Sequence, residues 1–132
     1  MLSAAMLLGP GCGSSSTREP PSRDEPVRRA SFRSLAARDF LASCPGAAAR
    51  SEINYQSARL DELRQLAVRN GAGAAVASGE NEWAGLSRYG DRERCADGDD
   101  AYRQALAAFS GALDTLAARI ADYPARAEER RP

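Results

Sequence analysis

Three cysteines, at positions 12, 44 and 95, are the only thiols in a chain of 132 residues that contains no histidine. Without histidine there is no His-based triad, and both the commonest general base and the commonest metal ligand are missing. Two thiols left over from any use of the third cannot complete a zinc site on their own. Carboxylates are the other candidates for chemistry, and they crowd one region. Residues 71–100 carry seven acids against three arginines. Its densest part, Asp91-Arg92-Glu93-Arg94-Cys95-Ala96-Asp97-Gly98-Asp99-Asp100, lacks the alternating ligands and distal bidentate glutamate of a calcium loop. It reads as a solvated turn whose aspartates, Asp99 or Asp100, accept from the first N–H groups of a following helix. The expectation is a protein that is not an enzyme and holds no cofactor and no metal.

Charge restricts the partners. Eighteen basic and eighteen acidic residues cancel, and every basic one is arginine. A neutral chain with dispersed arginines argues against nucleic acid or an anionic membrane surface as partner.

The elements that must position these residues are helices. β-branched residues are few between 31 and 123, no run alternates apolar with polar, and Ala, Leu, Arg and Glu dominate. Tyr102, Leu106, Phe109, Leu113, Leu116, Ile120 and Tyr123 form a stripe at intervals of four and three, ended by Pro124. This stripe is expected to pack within the domain rather than to form a dimer seam. Ile53, Gln56, Leu60, Leu63 and Ala67 mark a second helix over about 47–69, with Asn70-Gly71 as its left-handed terminus. A helix over about 31–42 carries Phe32, Leu35, Phe40 and Leu41. The glycines at 71, 73 and 79 loosen the next stretch, so only a short helix near 80–89 is expected, started by Ser78 and carrying Trp83 and Leu86. The fold class is all-α: a small bundle of three long or medium helices plus one short helix, spanning 31–123, with a frayed tail at 124–132.

The N-terminus reads Met1-Leu-Ser-Ala-Ala-Met-Leu-Leu8, then Gly9-Pro10-Gly11-Cys12 and Gly13-Ser14-Ser15-Ser16. An apolar run, small residues, a cysteine and a polar stretch resemble the end of a bacterial lipoprotein signal. The resemblance covers about sixteen residues, with Gly9 where leucine is usual. It implies that residues 1–12 are a signal segment and that Cys12 carries lipid, palmitate included. It also implies a periplasmic or outer-membrane-anchored protein of the cell envelope, touching the membrane through its anchor only. Ordinary secretion and a cytoplasmic chain are the alternatives. Residues 13–30, rich in proline, serine and charge, are expected to be a disordered tether.

Once Cys12 serves as an anchor, an even pair remains in an exported chain, which favours a Cys44–Cys95 disulfide. That bond would bring the start of the last helix to the start of the second, making the two parallel. Trp83 and Tyr89, the large aromatics on the least regular segment, are the candidates for contact with a partner; Trp83 filling the core is the plainer reading. The resulting expectation is a binding or structural module of the envelope whose partner is another envelope protein or the cell wall. The alternatives are a wall-glycan hydrolase using two of Glu80, Glu82, Asp91 and Glu93, with one carboxyl raised by an apolar pocket, and a phage-type lysis accessory lipoprotein.

Overall fold

A computed structural model describes residues 22–90 and 92–124. Cys12, the signal segment, the first part of the expected tether, Asp91 and the tail after Pro124 lie outside the described residues. Among the described residues all regular structure is helical. The helices are α1 (Asp24–Ala42), α2 (Ser51–Arg69), α3 (Gly73–Leu86) and α4 (Asp99–Asp122), with one 3₁₀ turn at Ala47–Ala49.

α1 begins well before residue 31, which corrects the expected tether over 24–30. Ser22 Oγ accepts the N–H of Asp24, and Asp24 and Glu25 occupy the first turn, where acids suit the helix dipole. Pro26, read from sequence as a linker signal, is the third helical residue, where its missing N–H leaves no bond unmade. The helix buries Val27, Ala30, Ser31, Ser34 and Leu35, a helical stripe built of small residues. Small side chains gave this face little weight in the sequence.

α3 also differs from expectation, running over 73–86 rather than 80–89. Gly79 is the reason. It sits where α3 crosses α1, and a Cβ built there would overlap the Arg28 carbonyl oxygen and lie 2.9 Å from both Phe32 N and Ser31 Cβ. The glycine permits close approach of two backbones rather than loosening the chain. Ser31, fully buried, donates its hydroxyl to the Val76 carbonyl across the same crossing at 2.8 Å.

Two termini are reversed against expectation in detail. Asp99 and Asp100 lie in the first turn of α4 but make no capping bond. Asp99 takes the guanidinium groups of Arg50 at 3.0 Å and Arg103 at 2.8 Å instead. Ala47–Ala49 is a separate 3₁₀ turn, and α2 starts only after the extended Arg50. The expected end of α2 holds: Gly71 has φ +84°, Ala72 N–H donates to Ala67 O and Gly71 N–H to Val68 O, closing a Schellman motif.

The stripe of α4 is the centre of the core. Tyr102, Ala105, Phe109, Leu113, Leu116 and Ile120 are buried within the chain, with Leu106 half-buried beside them. α1 runs antiparallel to α4: Tyr123 donates its hydroxyl to Asp24 at 2.6 Å, and Ser34 meets the Ala112 carbonyl midway. α2 runs parallel to α4, as Tyr102–Glu52, Arg50–Asp99 and Arg59–Asp114 pair in ascending order. The Cys44–Cys95 disulfide, with Cα atoms 4.6 Å apart, fixes that parallel pairing at its lower end. No helix of the described residues is long and apolar enough to cross a membrane.

Candidate functional site

The C-terminal half of α1, the end of α3 and the irregular segment 92–96 border a groove of about 890 Å³. Ala36, Ala37 and Phe40 of α1 give it an apolar side. Trp83 of α3 and Ser87 just past its end form the second side, and Arg92, Glu93 and Arg94 the third.

Trp83 is held from three directions. Its Nε1–H donates to Asp39 Oδ2 at 2.6 Å. Phe32 meets its ring edge to face, with centroids 5.5 Å apart, and the Arg92 guanidinium lies 5.9 Å from its centroid. Such contacts fix the plane of the indole before anything binds, lowering the entropy cost of using it. Asp39 is the organising residue. Besides Trp83 it accepts from Arg38 at 3.2 Å and lies 3.6 Å from Arg92. Trp83 therefore packs against the core and lines the groove at once.

The disulfide stands behind the third wall. Cys44 and Cys95 are nearly buried, and the Cys95 N–H donates to Ser43 Oγ at 2.9 Å, which ties the segment to the end of α1. Ser43 itself lines the groove.

Tyr89 is 83% exposed on the turn after α3 and does not line the groove. Leu86, 57% exposed, stands on the same stretch. Of the four acids considered for hydrolysis, Glu93 lines the groove and Asp91 lies outside the described residues. Glu80 is bound to Arg64 at 2.6 Å and Glu82 to Arg28. These two carboxylates reach toward different helices and share no common space, so they do not form a facing pair. Among the described residues no three Cys, Asp or Glu side chains gather closely enough to hold a metal ion.

Sequence reasoning missed Asp39, Phe40, Ser43, Arg92 and Arg94. One signal was present. Asp39 lies in the last turn of α1, where a negative charge opposes the dipole and which holds no basic residue. An acid so placed is held there by a partner, here the indole and two guanidinium groups.

Elsewhere the ionisable groups serve the fold. Arg28 and Arg29 both bond Glu25, holding its carboxyl below the ordinary carboxylate range. Burial, then the bond to Glu52, pushes the Tyr102 phenol up; burial and Asp24 do the same for Tyr123.

Compared with known protein families, curated proteins and solved structures, the chain matches none.

Proposed function

We propose that this chain is a non-enzymatic binding module of the bacterial cell envelope, held to a membrane by lipid on Cys12. In this reading the groove around Trp83 receives an apolar or aromatic group of another envelope protein or of the cell wall. The observation that carries it is the pre-set indole: its plane is fixed by Asp39, Phe32 and Arg92 where Trp83 lines the groove. Interface hot spots favour tryptophan seated in this way. Export is supported by the disulfide, since such bonds persist in oxidising compartments. The sequence around Cys12 supplies the anchor part of the reading.

Two experiments test it. Metabolic labelling with a palmitate analogue should mark the wild-type chain and not Cys12→Ala; an unlabelled wild-type chain removes the anchor. A photo-crosslinking residue at Ser87, on the groove, should capture one defined envelope component in intact cells, whereas one at the exposed Ala118 of α4 should not. Equal, diffuse capture at both positions would refute the groove.

A further inference from the structure

We infer that the Cys44–Cys95 bond is the latch of the groove, so that its reduction takes away one wall and the capacity to hold a partner. The inference rests on the groove being a binding site, and it makes that site sensitive to redox state.

The wall is irregular. Among the described residues, no backbone group of 92–97 bonds another backbone group. Chain of this kind keeps its place only through side-chain fastenings. Three exist here. One is the hydrogen bond from Cys95 N–H to Ser43 Oγ. A second is the Arg92–Asp39 pair at 3.6 Å, whose arginine side chain is half exposed and which is therefore weak and screened by salt. The third is the disulfide. Cys44 follows directly on the end of α1, on the rigid side of the groove, and Cys95 belongs to the wall. The covalent bond thus confers the rigidity of α1 on Arg92, Glu93 and Arg94. Without it, the packed helices still keep the loop of 51 residues closed, but residues 92–94 are held against α1 and α3 only by the weak polar contacts of Cys95 N–H and of Arg92.

The chemistry is thiol–disulfide exchange with a dithiol donor. A donor thiolate attacks Sγ of Cys95, the more exposed of the two residues, and Cys44 leaves as thiolate. The second donor thiol then displaces Cys95 and closes the donor's own disulfide. One protein S–S bond is broken, two protein thiols take up two electrons and two protons, and the donor is oxidised by the same two electrons. Coupling is reciprocal: an occupant that binds only the latched groove shifts the equilibrium away from reduction.

The test uses the full folded chain, oxidised or reduced with dithiothreitol, and the neutral apolar fluorophore N-phenyl-1-naphthylamine, excited by transfer from Trp83, the chain's one tryptophan. The oxidised chain should bind the probe. The reduced chain should bind it at least tenfold more weakly, with far-ultraviolet circular dichroism unchanged. Exchange of the Cys95 amide, held by Ser43 Oγ in the oxidised chain, should rise at least tenfold, while exchange in the middle of α4 stays unchanged. A Cys44→Ser, Cys95→Ser variant should bind the probe as weakly as the reduced chain, and dithiothreitol should leave its binding unchanged; binding of that variant at the oxidised level overturns the latch. Equal binding in the oxidised and reduced chains overturns the latch and leaves the groove standing. Loss of helical signal on reduction overturns it too, because the bond is then a staple of the whole fold. No probe binding in the oxidised chain overturns the groove reading and this inference with it.

Discussion

Replacing Gly79 by alanine should cost about 2–3 kcal/mol, although alanine is the better helix former. The crossing of α3 on α1 leaves no room for a methyl group, which would overlap the Arg28 carbonyl oxygen and press on Phe32 N and Ser31 Cβ. All three belong to α1, so no side-chain rotation relieves the clash, and one helix must move. Overpacking of this kind costs about 1–3 kcal/mol or more. Moving α3 outward also stretches the buried Ser31–Val76 hydrogen bond, whose loss adds about 1 kcal/mol. Against this stands a gain of about 1 kcal/mol in helix propensity. A domain of this size loses roughly 4–8 °C of melting temperature per kcal/mol, so thermal melts should fall by about 10–20 °C. Gly85 provides the control in the same helix, since nothing lies within 4 Å of a Cβ built there. Gly85→Ala should stabilise by about 0.5–1 kcal/mol. If both variants stabilise, the close crossing is wrong and the position of α3 with it.

Loss of the disulfide in Cys44→Ser, Cys95→Ser should lower stability by about 4 kcal/mol, the chain-entropy value for a separation of 51 residues; urea titration measures it, and a change below 1 kcal/mol would show the denatured chain to be compact already. Gln56 carries a buried side-chain oxygen with no partner among the described residues, so Gln56→Leu should stabilise by about 1 kcal/mol in the same titration. The raised Tyr102 phenol gives a pH dependence: the folded chain holds this proton more tightly than the unfolded one. Its contribution is therefore full below pH 10.0, the unfolded value, and lost as pH rises through the higher folded value. Melting temperature should fall above pH 10 in the wild type and fall less in Tyr102→Phe, whereas an identical fall would assign the effect to other groups.

Large apolar residues at helical spacing made α4 and α2 legible in the sequence, and the cysteine pair led to their parallel arrangement. The failures have a common physical origin. The crossing of α1 and α3 is built on Ala30, Ser31, Ser34, Ala75 and Gly79, which carry little hydrophobic signal, and the serines and the glycine add poor helix propensity. Close backbone approach is a tertiary effect, and a glycine required by it looks the same in sequence as a glycine in a loop. The groove was half legible. Trp83 stood out by type, but Asp39 and the wall residues acquire their role only when α1 is brought against α3. Tyr89 stood out equally and stays in solvent, because the turn after α3 points it away from the groove.

The antiparallel pairing of α1 with α4 has a mechanical consequence. Asp24 and Tyr123 touch, so both ends of the described chain emerge on the same side, while the disulfide lies at the far end of that pair. A pull on the two ends would peel α1 from α4 one turn at a time instead of shearing them along their length. Peeling stops at the covalent bond. The α2–α3 half, enclosed in the 44–95 loop, carries no tension until that bond opens. A dithiol would then roughly double the length released under load. In a chain held at both ends, the bond sets how far the domain can stretch before its second half gives way.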